Sequence, residues 1–190
     1  MGDDVAKVII VGDGPGGLSA ALFLAKNGHD VVVYGQDKTA MHFAELHNYL
    51  GIEKILGSDL QAIGRHQVRS FGGTLVDAAV ASVEKTDAGF KVTLEDGPDD
   101  TSSYVILTEG KNPTLATALG IRLDEAGRAV VDQDGRSSVD RAYVVGRTAR
   151  PTRSQAIISA GAGAAAALDI LAREAGKDVQ DWDSPPKDEE

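Results

Sequence analysis

One motif in this sequence has residue types and spacing suited to a specific chemistry: Gly12-x-Gly14-x-x-Gly17. Gly12 permits a tight turn. Gly14 puts no side chain between the backbone and an incoming pyrophosphate, and Gly17 lets a helix sit close on a strand. Gly16 belongs to the same turn. Pro15 suits a first helical turn, where its missing N–H would have no partner anyway. Backbone N–H groups at such a helix start, aided by the helix dipole, hold an anion. The chemistry implied is dinucleotide binding.

A second group should follow. In such folds an acid roughly 20 residues beyond the motif bonds the ribose hydroxyls. Here the stretch reads Tyr34-Gly35-Gln36-Asp37, with Gly35 in the usual register of the acid. Gln36 or Asp37 is therefore expected to take the ribose role. The remaining chemistry is sparse. His42 and His47 are five apart, a spacing that does not align them for a metal as i, i+4 would. No metal site is expected. There is no Gly-x-Ser-x-Gly elbow and no lysine-bearing phosphate loop. Arg147, Arg150 and Arg153 form the one basic cluster, suited to a phosphate or an anionic cofactor.

These residues need elements to position them. Val5–Val11 is a short apolar run that reads as a buried parallel strand. Leu18, Ala21, Leu22 and Ala25 recur at helical spacing, and Gly28 is a natural stop. Val31–Tyr34 is a second strand, completing a β-turn-α-β unit. Thr39–Leu56 is expected to be helical, with Phe43, Leu46, Tyr49 and Leu50 facing inward. Ser58-Asp59 caps another helix to Phe71. Strands are expected at Thr74–Val76, Ala79–Lys85, Phe90–Leu94 and Ser103–Leu107. The last three form an antiparallel meander whose final strand re-enters the main sheet. Pro113–Leu119 is a short helix, and Ala129–Val131 and Ala142–Val145 are short strands. Thr152 or Ser154 caps a long helix to Ala175, with Gly161 and Gly163 on a face that can approach a neighbour closely. The fold class is α/β: a three-layer Rossmann-like FAD/NAD(P)-binding domain with a central parallel sheet and a three-stranded antiparallel meander.

Composition narrows the class further. The 190 residues suit a single domain, residues 1–176, followed by an acidic tail, residues 177–190. Zero cysteine excludes a disulfide framework, a thiolate metal site and a Cys-x-x-Cys pair within this chain. The net charge of −10 argues against nucleic acid and anionic membranes as partners. No apolar run in the sequence approaches the ~20 residues that span a bilayer. The start, Met1-Gly2-Asp3-Asp4, is acidic where a secretory signal is basic and then apolar. A cytoplasmic location is expected. Trp182 is expected to dock on the surface.

An ordered set of motifs resembles the FAD-binding part of thioredoxin reductases and other pyridine nucleotide–disulfide oxidoreductases. Gly12–Ala21 resembles their FAD-binding start. Val83–Gly97 resembles the meander before a strand ending in Ala-Thr-Gly, here Leu107-Thr108-Glu109-Gly110. Tyr143-Val144-Val145-Gly146-Arg147 stands where the family has apolar residues followed by Gly-Asp. Arg153-Ser154-Gln155-Ala156 resembles the helix start that faces the flavin ring. The resemblance runs to about Ala175. It implies FAD contacts at Gly110, Gly146, Arg147, Gln155 and Ala156, besides the glycine turn.

The departures are equally specific. Between Gly110 and Asn112 the family would carry an NADPH domain and its Cys-x-x-Cys. The ribose acid is Gly35, the ribityl Asp is Arg147, and the threonine is Glu109. Arg147 either compensates at the pyrophosphate or pairs with Glu109 or a nearby Asp and closes the site. The resemblance thus implies a small flavoprotein oxidoreductase without its own dithiol, taking electrons from free NAD(P)H or a partner protein. An NAD(P)-binding protein and a non-catalytic binding or regulatory module are the alternatives.

Overall fold

The computed structural model describes residues 5–185. The acidic start Met1–Asp4 and the end of the tail from Pro186 lie outside the described residues. β1 (Lys7–Val11) leads into α1 (Pro15–Lys26) and β2 (Asp30–Tyr34). A 3-10 turn (Ala40–Phe43), β3 (Glu45–Leu46), β4 (Ile55–Leu56), α2 (Gly57–Ser70) and β5 (Thr74–Val76) follow. Next come β6 (Val80–Thr86), β7 (Gly89–Leu94), β8 (Asp100–Ser102) and β9 (Tyr104–Leu107). The described chain ends with α3 (Thr114–Ala118), β10 (Ala142–Val144) and α4 (Ala156–Ala175).

Strands β10-β9-β1-β2-β5 form one parallel sheet in that order. Alternation along β1 divides the core, because successive side chains face opposite ways. Val8 and Ile10 pack with α1 and α4 through Leu24, Ala166 and Ile170. Ile9 and Val11 pack with the meander through Phe90 and Val92, and with Leu115 of α3. The result is the expected three layers: helices, parallel sheet, and a β6-β7-β8 meander with α3.

Four expectations about secondary structure and caps change. Thr39–Leu56 is not a helix: beyond the 3-10 turn it holds only the two-residue pair β3–β4. Phe43 and Leu50, expected inside, are 94% and 88% exposed. Gly51 at φ 90° and the bond from Gly57 N–H to Ala44 O (2.8 Å) turn this segment back on itself. The third meander strand is β8, antiparallel to β7, whereas β9 is a separate strand parallel to β1. Ala129–Val131 forms no strand, only a bridge between Leu123 and Ala129. Neither Ser58-Asp59 nor Thr152 or Ser154 caps its helix; Leu56 and Gln155 stand at those caps without a side-chain bond.

The long helix ends as expected, on Gly176 in the left-handed region (φ 66°). It is also the one described helix long and apolar enough to cross a membrane, with a mean hydropathy of 1.4, an exception to the sequence expectation. Here it is a core helix, with Ala166, Ala167 and Ile170 fully buried. The tail is tethered where it is described: Lys26 Nζ pairs with Asp181 (2.6 Å) and Asp183 (2.5 Å). Trp182 does not dock; it is 83% exposed.

Candidate functional site

The parallel register ends together. Val11 pairs with Tyr34 on one side and Leu107 on the other, and Leu107 pairs with Val144. Beyond these carboxyl ends, where the chain leaves β1 for α1 on one face of the sheet and neighbouring β9 for α3 on the other, lies a cleft of about 540 Å³. Ligands of open α/β sheets bind at such a crossover point.

The glycine turn forms its floor. Gly12, at φ 104°, donates its N–H to Tyr34 O (2.8 Å), and a Cβ there would lie 2.9 Å from the Thr108 carbonyl carbon. Gly17 lies behind the cleft, where a Cβ would meet Thr108 Cγ2 at 2.9 Å. These two glycines are packing requirements. Gly14 is different. Its backbone (φ −71°, ψ −179°) suits any residue, and a Cβ would meet nothing nearer than Thr39 Oγ1 at 3.8 Å. Neither packing nor conformation of the chain itself calls for glycine there. The space it leaves belongs to the cleft, at the N-terminus of α1.

Of the residues expected in the site, Gly12, Gly14, Pro15, Gly16, Gln36, Gly110, Gly146, Arg147 and Ala156 line the cleft. Gly17, Asp37 and Gln155 do not. Asp37 (φ 53°) turns to His42 Nε2 at 3.1 Å. Gln155 Oε1 accepts from Asn48 Nδ2 at 3.1 Å. Gly110 is fastened through Thr148, whose hydroxyl accepts from Gly110 N–H (3.2 Å) and donates to Gly110 O (3.0 Å). Arg150 and Arg153 lie outside the lining. Among the described residues no three His, Asp or Glu side chains converge as a metal site.

The two unusual charges do not pair with each other. Glu109 turns its carboxylate onto α3, accepting from Leu115 N–H (2.7 Å) and Ala116 N–H (2.9 Å). Burial holds its carboxyl above the usual glutamate range, against the opposing pull of those amide bonds. Arg147 is exposed, lines the cleft, and pairs with no carboxylate among the described residues. Lys38 and Lys111 add two further cations to the lining. Their place was hidden in the sequence because the loops carrying them show no periodicity.

Asp13 was missed altogether. It sits inside the glycine turn with 5% exposure. Oδ2 accepts from Asp37 N–H (3.0 Å) and pairs with Arg65, while Gln61 Nε2 donates to the Asp13 carbonyl. An acid inside a glycine-rich turn, followed by glycine at the end of β2, was the available signal.

Fold and site together define a Rossmann-type dinucleotide-binding domain. The family model for pyridine nucleotide-disulphide oxidoreductases matches residues 6–59, which contain the glycine turn and β2. A thioredoxin reductase of Streptomyces clavuligerus is 35% identical over 112 residues, 56% of this chain and 35% of that protein. A dihydrolipoyl dehydrogenase of Staphylococcus aureus is 28% identical over 148 residues, 74% of this chain and 29% of that protein. Among solved structures, a thioredoxin reductase from Gloeobacter violaceus superposes with a TM-score of 0.85 at 17% identity, the alignment covering 94% of this chain and 99% of that one. The chain is thus thioredoxin reductase-like in fold, and its first third is similar to pyridine nucleotide-disulphide oxidoreductases. It spans about a third of the length of the thioredoxin reductases it matches. Between β9 and α3 there is only the short link 108–113, with no room for an inserted domain.

Proposed function

We propose that this chain is a small flavoprotein domain that binds FAD in the cleft and takes electrons from free NAD(P)H or a partner protein. The observation that carries this reading is Gly14: a glycine with no internal reason to be one, at a helix N-terminus, opening onto a 540 Å³ cleft at the carboxyl ends of the strands. That is the space a pyrophosphate needs.

When bound, the flavin supplies hydride acceptance and electron transfer. The chain supplies the rest. N–H groups at the start of α1 would hold the pyrophosphate, and Arg147, exposed in the same lining, would supply a cation. Gly146 and Gly110 leave room beside the linking chain. The first turn of α4, through Ala156 and Ser159, brings the positive end of a 20-residue helix to the far part of the cleft. A helix N-terminus there favours negative charge on the reduced ring. The places of the three sequence departures support this reading: Glu109 is turned to α3, Arg147 pairs with no carboxylate among the described residues, and Asp13 occupies the space before Gly35.

A fluorescence titration with FAD and with NADH tests this reading. Saturable FAD binding well ahead of NADH supports it. Preference for NADH converts the assignment to an NAD(P)-binding protein, and failure to bind either leaves a non-catalytic module.

A further inference from the structure

The end of β2 lacks the acid that dinucleotide folds place there for the ribose. The space before Gly35 is nonetheless occupied. A Cβ built on Gly35 would fall 2.7 Å from both Cβ and Oδ1 of Asp13. The carboxylate stands where a side chain of residue 35 would begin. Burying a charge this deeply is costly unless it is paired, and α2 supplies the pairing. Gln61 and Arg65, one helical turn apart on one face, reach the Asp13 carbonyl and Oδ2 respectively. Only one oxygen is consumed. Oδ1 has no hydrogen-bond partner among the described residues, and none of their buried side-chain polar atoms is left unpartnered. Oδ1 is therefore accessible, and Asp13 lines the cleft.

We propose that Asp13 has taken over the ribose-binding role, its Oδ1 accepting from the vicinal hydroxyls of the adenosine ribose of the dinucleotide. The acid has moved from the end of β2 into the phosphate-binding turn, and residue 35 became glycine to admit it. Gln61 and Arg65 are positioning residues that hold the relocated carboxylate. An ionised carboxylate only accepts hydrogen bonds, so it favours ribose hydroxyls and repels a 2′-phosphate. This inference rests on the FAD reading above.

The test is a reciprocal exchange in the full chain. D13A, G35E and D13G/G35E are titrated with FAD, with its 2′-deoxyadenosine analogue, and with FMN, which lacks the adenosine. D13A is expected to weaken FAD roughly 10- to 100-fold, the usual effect of losing a charged hydrogen bond. It should abolish the preference for FAD over the deoxy analogue and leave FMN unchanged. G35E alone collides with Asp13 and should bind FAD poorly. D13G/G35E, which also removes the Asp13 Cβ that a residue-35 Cβ would meet at 2.7 Å, should recover FAD affinity to within a few-fold, and it carries the test if D13A fails to fold. R65M should reduce discrimination between FAD and the deoxy analogue, which a merely structural role would not do. FAD and deoxy-analogue binding unchanged in folded D13A, or no recovery in the double variant, overturns the exchange while leaving FAD binding intact. No uptake of FAD by the unaltered protein overturns both.

Discussion

Gly163 of α4 lies directly on the peptide of Gly16 in α1: a Cβ at residue 163 would stand 2.9 Å from the Gly16 carbonyl carbon and 3.1 Å from Ala20 N. The approach is mutual, since a Cβ on Gly16 would meet Ser159 O at 3.2 Å. The two helices that open onto the cleft are thus locked at their shared end. Their spacing sets the distance between the glycine turn and the first turn of α4. Stability and ligand geometry depend on the same contact.

Two glycines two residues apart in α4 should therefore respond oppositely to alanine. G163A forces the helices apart and is expected to cost about 1–3 kcal/mol. G161A meets nothing within 4 Å and should stabilise by roughly 0.5–1 kcal/mol, because glycine is a poor helix interior residue. Urea unfolding of both variants checks the contrast.

Asp169 is the anchor at the other end of α4. It is 9% exposed, pairs with Arg136, and accepts from Tyr143 Oη at 2.5 Å. Burial alone would raise its carboxyl, but Arg136 and Tyr143 bring it below the usual aspartate range. Its contribution is present above the unfolded value of 3.8 and is lost as the pH falls through the lower folded value. D169N is expected to cost roughly 1–3 kcal/mol at neutral pH. Its stability loss relative to the parent should shrink on acidification, as read from melting temperature against pH.

Glu109 should show the reverse sign. Its folded carboxyl is raised above the usual 4.5 by burial, so its favourable contribution is complete below 4.5 and is lost as the pH rises through the folded value. Between those points the melting temperature of the parent should fall relative to that of E109Q. A parallel pH series on the two proteins measures it.

Arg147 is exposed, so its removal should leave the fold alone. R147A is expected to keep the parent melting temperature without ligand and to weaken dinucleotide binding about tenfold or more. That loss should shrink as salt is added, because exposed charges are screened. Titrations at two ionic strengths distinguish this from a packing effect.

The β1-turn-α1-β2 unit was legible because each glycine in Gly12-x-Gly14-x-x-Gly17 has a separate physical duty. The close approach of α4 was legible in part, from its run of small residues: Gly163 lies against α1, whereas Gly161, expected on the same face, is exposed and meets nothing within 4 Å. Residues 39–56 were misread for a definite reason. Phe43, Leu46 and Leu50 repeat at helical spacing, yet only Leu46 is buried, and Phe43 and Leu50 face solvent. Periodicity reports a helix only where the apolar face has something to cover. Asp13 and Arg65 are 52 positions apart. Pairing across that distance is set by the docking of α2 on the turn, which no local pattern records. The tether of Asp181 to Lys26 escaped notice for the same reason.

The most direct measurement is the visible absorbance spectrum of the purified protein before and after incubation with FAD and removal of the free cofactor. Flavin absorbance that stays with the protein at about one per chain, and is lost when Gly14 is replaced by a bulky residue such as valine, is the predicted result. A protein that remains colourless after incubation contradicts the central claim.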